Sequence, residues 1–332
     1  MSEQDNFPAR RGRGGHYEAW YLTFTDPATR TGYWIRYTLH APGGGGAPEA
    51  RLWFARFDHV RPERTLGLNR GHPIAEWASE ASAFEIRIGD AVLRSGRLSG
   101  SLQGEDHSVA WDLDFETGGP TYRMLPDALY RGSLAPSKPY VPNPDTTFTG
   151  TIEVDGETLT LSGVPGQQGH VYGSRHAERW AWAQCNDFPG DPGTVLVALV
   201  AQGRRGPLLT PHTTFVGLRR GGEWLRFRGI SRQKDWSLGV WRLALSGRRH
   251  RLVGSVRVAP ERLIRARYHD PDGTARYCHN SEVSSARLTL LERRAGGYEE
   301  VAQLEADGRV HAEWGGMTPA EAVLHEHVVL DG

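Results

Sequence analysis

Ser108-Val109-Ala110-Trp111-Asp112-Leu113-Asp114-Phe115 alternates in apolar character. Every odd position is apolar from Val109 onward, and the even positions end in two aspartates. Side chains of a strand point to opposite faces in turn, so a period of two describes a half-buried strand in an antiparallel sheet. The same period predicts strands at 19–24, 33–40, 51–57, 84–88 and 146–154. It continues at 194–201, 213–218, 224–228, 238–245, 251–258, 263–268, 283–292 and 298–304. Turn formers separate them: Asp26-Pro27, Asp155-Gly156, Arg220-Gly221-Gly222, Asp270-Pro271-Asp272-Gly273 and Ala295-Gly296-Gly297. Spacings near ten residues, repeated this often, predict an all-β sandwich or barrel fold. Only short helices are expected, near 126–134 and 319–324.

A chain of 332 residues holds two domains or one large β-rich one. Two β-domains sharing an interface are expected, as 1–163 and 164–332. Pro136, Pro139, Pro142 and Pro144 crowd one stretch, which reads as a connector and not as a central strand. Gly43 to Gly46 reads as a hairpin loop, since no Lys-Ser/Thr and no helix pattern follow it.

Lys+Arg and Asp+Glu are equal at 39 each, so no global basic field points to nucleic acid. The stretch from Met1 to Gly15 is polar, so a secretory signal is not expected, and no apolar run reaches membrane-spanning length. Two distant cysteines, Cys185 and Cys278, make neither a disulfide framework nor a zinc cluster. A cytoplasmic protein is the simplest expectation. No metal is expected: His325-Glu326-His327 puts two imidazoles on one strand face, but a third ligand at a defined spacing is missing. Dinucleotide and nucleophile-elbow motifs are absent.

Chemistry concentrates at Gln167-Gln168-Gly169-His170-Val171-Tyr172-Gly173-Ser174-Arg175-His176 and the strand that follows it. From Trp180 the alternation is sharp. Trp180, Trp182, Gln184 and Asn186 share one face, and Ala181, Ala183 and Cys185 the other. Two indoles with two amides suit a mainly apolar pocket holding a few fixed polar groups. The same pattern also suits a core strand whose tryptophans fill a barrel. Glu178 and His176 are the candidate acid and base, with His170 and Tyr172 nearby. Glu178 also reads as a surface ion pair with Arg175 or Arg179. Three further segments carry ligand-binding candidates: Glu18 and Trp20 on the first strand, His212 before a strand, and His279 with Asn280 in Tyr277-Cys278-His279-Asn280-Ser281. All could meet at one interface.

At these residues the chain resembles the two-domain lipocalin-like (calycin) superfamily of carotenoid 1,2-hydratase (hydroxyneurosporene synthase), tocopherol cyclase, fungal Diels–Alderases of similar fold and AttH-like proteins. The resemblance rests on Tyr17-Glu18-Ala19-Trp20-Tyr21 with Gly32-Tyr33-Trp34-Ile35-Arg36-Tyr37, on 169–182, and on 277–281. It implies two lipocalin-like antiparallel β-barrels packed side by side. It also implies an isoprenoid, polyene or polyketide ligand and no redox cofactor.

The expected function is cofactor-independent acid/base catalysis on a hydrophobic small molecule, as hydration, cyclisation or isomerisation. Glu178 or His176 would donate the proton, and Trp180 and Trp182 would stabilise cationic charge. A non-catalytic carrier for the same ligand and a carbohydrate-binding or hydrolase β-sandwich are the alternatives. A buried, pocket-facing Glu178 marks the enzyme, a solvent-paired Glu178 marks the carrier, and open aromatic platforms mark the carbohydrate module.

Overall fold

The computed structural model describes residues 3–9, 15–131 and 135–330. It is nearly all antiparallel β-structure, with a single α-helix of four residues, Asp127–Tyr130, among the described residues. Residues 132–134 of the helix expected there lie outside the described residues. No helix forms at 319–324, where turns and irregular chain lead into the last strand.

The first set of strands is β1 (His16–Asp26), β2 (Thr31–Ala41), β3 (Glu49–Asp58), β4 (Leu66–Pro73), β5 (Trp77–Ser79), β6 (Glu85–Ile88), β7 (Ala91–Arg94), β8 (Arg97–Gln103), β9 (Ser108–Phe115), β10 (Tyr122–Arg123), β11 (Ser137–Val154) and β12 (Glu157–Gly173). Ladders run in the order β4-β3-β2-β1-β12-β11-β9-β8-β7-β6-β5. The second set is β13 (Arg179–Cys185), β14 (Val195–Gln202), β15 (Arg204–Arg205), β16 (Leu208–Leu209), β17 (Thr213–Arg220), β18 (Glu223–Ile230), β19 (Trp236–Ser237), β20 (Val240–Ser246), β21 (His250–Arg257), β22 (Ile264–His269), β23 (Ala275–Arg294), β24 (Gly297–Gly316) and β25 (His325–Leu330). Its ladders run β18-β17-β14-β13-β24-β23-β21-β20-β19, with β22 on the early half of β23. β25 joins the sets, pairing in parallel with β22 on one side and β4 on the other.

Among the described residues no ladder joins β4 to β5 or β18 to β20, so neither set closes on itself by backbone pairing. The expected division at 163/164 falls inside β12, which pairs with β1 as far as Gly173. The ladders change partners after that residue.

The proline-rich connector is in fact the start of β11. Pro139 stands opposite Val171, and register shifts between Tyr140 and Asn143 and between Asn143 and Thr146 accommodate the later prolines. A bulge removes the need for an amide donor at each ladder position, which is how a strand tolerates them.

Period-two alternation sorts the side chains into three apolar clusters. Val109, Trp111, Leu113 and Phe115 of β9 join Trp20, Leu22, Phe24, Ile35 and Phe54 in the core of the first set. Ala181, Ala183 and Cys185 join Leu196, Ala198 and Trp314 in the core of the second. The third cluster lies between the sets. Trp34, Trp53 and Phe57 come from one side, and Trp180, Trp182, Leu199, Phe215, Tyr268 and Cys278 from the other. Each large side chain fully buried there contributes about 2–3 kcal/mol. This intervening layer holds the site.

Candidate functional site

Trp34 and Arg36 share the outward face of β2, because Tyr33, Ile35 and Tyr37 turn inward to the first core. Trp180 and Trp182 occupy the matching face of β13. Gly315 on β24 stands opposite Trp180, and a Cβ there would lie 2.0 Å from the indole. That glycine lets the ring lie flat on the neighbouring strand. Between the faces is a cavity of about 450 Å³, walled mostly by apolar atoms of Trp34, Trp180, Trp182, Leu199 and Phe215. Tyr21, Arg36, His176, Tyr268 and Glu313 are among its polar groups, with Arg204, Arg205 and Arg228 also on its lining. A second, more polar cavity of about 610 Å³ adjoins it, and the two share Arg36, His176 and Tyr268. Both volumes suit a small-molecule ligand.

Glu313 was not singled out in the sequence. Its Oε1 accepts a hydrogen bond from the Trp180 indole at 2.8 Å, and its Oε2 accepts one from the Cys278 thiol at 3.3 Å. Both donors are neutral. Burial, reinforced by the Glu313 carboxylate, pushes the Cys278 thiol up, so it stays a protonated donor. Burial likewise raises the Tyr21 and Tyr268 phenols.

His176 lines both cavities and stacks on Tyr17 with ring centroids 4.0 Å apart. Its Nδ1 lies 2.7 Å from Asp270 Oδ1, and its backbone N–H donates to the same oxygen at 2.9 Å. Arg276 Nε donates to the other Asp270 oxygen at 2.7 Å. Burial opposes the Asp270 charge, but these bonds outweigh it and hold the carboxyl at about 2. Burial also pushes the imidazole below its ordinary value, against the pull of Asp270. A neutral ring donating from Nδ1 to Asp270 leaves Nε2 as a lone-pair acceptor, the state a general base requires.

The structure brings His176, Trp180 and Trp182 together at one cavity and disperses the other expected residues. Glu178 lies on the far side of Trp180, in a separate cleft, where Arg204 Nε donates to it at 3.1 Å and Arg276 Nη1 lies 3.8 Å away. His279 lines the same cleft with both ring nitrogens engaged, Nδ1 with the Trp314 carbonyl at 3.1 Å and Nε2 accepting from the Ala320 amide at 3.0 Å. Asn280 is fully buried on β23. Gln184 and Asn186 share the Trp180 face but sit farther along, beyond the cavity. Asn186 donates to Asp145 at 2.9 Å and to the Thr146 carbonyl at 3.2 Å.

Glu18, His170 and Trp20 form a hydrogen-bonded network with the N-terminal segment, and Glu18 also borders the polar cavity. Glu18 accepts from His16 at 3.0 Å, from His170 at 2.8 Å and from the Ala9 amide at 2.8 Å. Burial opposes its charge, and these donors still hold the carboxyl below its usual range. Trp20 stacks on His170 and donates to the Asn6 carbonyl at 2.8 Å. The Tyr172 hydroxyl lies 3.4 Å from that of Tyr140. His212 packs edge-on against Trp236, away from both cavities.

Among the described residues no three His, Cys, Asp or Glu side chains are grouped to hold a metal ion. His327 packs against Trp34 and Trp53, and burial pushes it down to about 4. No helix among the described residues is long and apolar enough to cross a membrane.

The family model described as tocopherol cyclase-like matches residues 144–316, a span that includes His176, Trp180, Trp182, Asp270 and Glu313. An uncharacterized protein of Mycobacterium tuberculosis is 31% identical over 287 residues, covering 85% of this chain and 84% of that one. The chain belongs to the tocopherol cyclase-like family. Two of the three segments that carried the resemblance, 169–182 and 277–281, lie inside the matched span. Similar folds are found in a protein designated AttH from Nitrosomonas europaea and in kievitone hydratase from Nectria haematococca. The first has a TM-score of 0.51 at 14% identity, covering 91% of this chain and 93% of that one. The second has a TM-score of 0.50 at 11% identity, covering 94% of each. In this member of the tocopherol cyclase-like family, the cavity between the strand sets is the candidate active site.

Proposed function

We propose that the chain is a hydratase- or cyclase-type enzyme that moves protons on an apolar ligand held between the two strand sets, without a cofactor. The observation that carries this reading is the Glu313 carboxyl group, which lines an apolar cavity beside three tryptophans and, among the described residues, accepts hydrogen bonds only from neutral donors. A carboxyl group so placed is in position to deliver a proton to a ligand carbon in the cavity. In this reading Glu313 protonates a carbon. The faces of Trp34, Trp180 and Trp182 stabilise the cation that results. His176, oriented by Asp270, takes the proton from the attacking water or hydroxyl through Nε2. Solvent then returns a proton to Glu313 and removes one from His176. Tyr21 and Tyr268 orient the ligand oxygen. The ligand class is an isoprenoid, polyene or polyketide-like molecule, as the family relationship suggests.

The same reading takes the strand sets as two lipocalin-like barrel domains side by side, the first ending with β12 and the second starting with β13. The buried free thiols Cys185 and Cys278 fit a reducing compartment such as the cytoplasm.

A carrier without turnover is the second reading, and the arginine partners of Glu178 favour it. The carbohydrate module has less support, since among the described residues no tryptophan is exposed. Incubation with a panel of prenylated phenols and linear polyenes in deuterated water separates enzyme from carrier. The enzyme incorporates deuterium at carbon in a hydrated or cyclised product, and Glu313→Gln abolishes this while retaining binding. Saturable binding of the panel with unchanged ligand recovered throughout would establish the carrier instead.

A further inference from the structure

Arg36 is the one group at the junction of the two cavities whose charge has no partner. The residue is 7% exposed. Among the described residues no carboxylate forms an ion pair with it, and its Nε makes no hydrogen bond. Its guanidinium carbon lies 4.3 Å from the ring centroid of Tyr268 and 5.5 Å from that of Trp34. Among the described residues the other buried or half-buried arginines around the site are matched, and Arg205, Arg228 and Arg267, which have no carboxylate partner, are exposed. Arg276 has Asp270, Arg204 has Glu178, Arg51 has Glu49, and Arg265 has Glu326. Glu313 lines the same apolar cavity, but its oxygens engage Trp180 and Cys278.

A buried charge without a counter-charge is costly, and proteins keep such groups mainly where something binds them. Aromatic rings hold the guanidinium by its face and leave its edge, the part that grips an oxyanion with two N–H groups, free to bind. The groups facing this junction from the polar cavity are Arg51, Arg265, Arg267, His40, His269, His327, Glu18, Glu49 and Glu326. All three carboxylates among them are already engaged, Glu18 by His16 and His170, Glu49 by Arg51 and Glu326 by Arg265. The unmatched charge there is positive.

We propose that Arg36 grips the anionic oxygen headgroup of an amphiphilic ligand, a carboxylate or a phosphate, whose apolar tail fills the cavity lined by Trp34, Trp180 and Trp182. This rests on the reading that the cavity takes an apolar ligand, and it names that ligand's class. The headgroup lies toward the polar cavity and the tail toward Glu313, which fixes the direction in which the ligand enters.

The test is a tryptophan-fluorescence titration with palmitate, hexadecyl phosphate and cetyl alcohol, each below its aggregation concentration. The wild-type protein is expected to bind one or both anions about ten-fold tighter than the alcohol, the scale of one desolvated charge-assisted contact. The ratio between the two anions identifies the headgroup. Arg36→Gln should bring the anions to the affinity of the alcohol and leave the alcohol unchanged, and Arg36→Lys should keep part of the preference. Arg36→Gln should melt no lower than the wild-type protein, since it removes an unpaired charge. The wild-type comparison decides the matter even if the variants fold poorly. Equal binding of anion and alcohol, or an anion preference that survives in a folded Arg36→Gln, overturns the headgroup proposal and leaves the apolar-cavity reading standing. No saturable quenching by any of the three overturns both.

Discussion

Glu178 and Glu313 lie on opposite sides of Trp180 and differ in what surrounds them. Glu178 has two arginines and lines a side cleft. Glu313 has an indole and a thiol and lines an apolar cavity. The first is paired with cations at a cleft, whereas the second meets neutral donors at the wall of an apolar cavity. The contrast teaches that proximity to an aromatic strand does not make an acid catalytic. The partners that neutralise it decide. Glu18 repeats the lesson, since its oxygens are taken up by His16, His170 and the Ala9 amide.

The widest separation between the two acids is expected in turnover. Glu313→Gln should lower it by about 10²–10⁴, the usual worth of a positioned proton donor. Glu178→Gln should leave it within a few-fold and instead cost about 1–3 kcal/mol of stability, because Arg204 and Arg276 lose a charged partner. Parallel rate and urea-unfolding measurements on the two variants check this. A larger rate loss for Glu178→Gln would reverse the comparison.

Gly315→Ala probes the wall between the acids. Its Cβ would meet the Trp180 ring at 2.0 Å, so the ring must move off Glu313. A loss of about 1–3 kcal/mol in unfolding free energy is expected, together with a shifted tryptophan emission maximum. An unshifted emission would show that the indole does not depend on that glycine.

The histidine side of the cavity is tested by pH. Asp270 is held at about 2, below its ordinary 3.8. A depressed carboxyl stabilises the fold above pH 3.8, and this stability is lost as pH falls toward 2. The contribution is about 1–2 kcal/mol. Asp270→Asn should therefore be less stable at neutral pH and lose less on acidification, read as a shallower acid limb in unfolding midpoint against pH. The smallest effect is expected at Trp182→Ala. Loss of one aromatic contact, on the order of 1 kcal/mol, should weaken an apolar ligand five- to ten-fold by fluorescence titration.

Much of the fold was legible in the sequence wherever one strand face is buried and the other is not. Val109, Trp111, Leu113 and Phe115 of β9 turned inward as their alternation requires. The pattern failed where both faces are covered or a bulge intervenes. β12 has a run of five buried residues, Gly166 to His170, with no alternation to read. Pro142 and Pro144 of β11 sit at register shifts, which no local rule predicts.

The site was legible in part. Trp180 and Trp182 announced a face because Ala181, Ala183 and Cys185 alternate with them. That face did not reveal depth. A strand rises about 3.3 Å per residue, so Asn186 lies about 13 Å beyond Trp182 and past the cavity. Glu313 escaped notice because His311-Ala312-Glu313-Trp314 alternates as a surface strand does. Its polar face meets Tyr21 and the cavity wall of the first strand set where solvent would be expected. Arg36 is hidden in the same way between Ile35 and Tyr37, both fully buried on the opposite face.

The most direct test is photolabelling with a polyene that carries a diazirine, followed by mapping of the modified peptides. Labelling is expected at Trp180, Trp182 and Tyr268, competed away by the unlabelled polyene and accompanied by reduced turnover. Labelling confined to the Glu178 cleft, at His279 and Met317, or spread over the outer surface without competition, would contradict it.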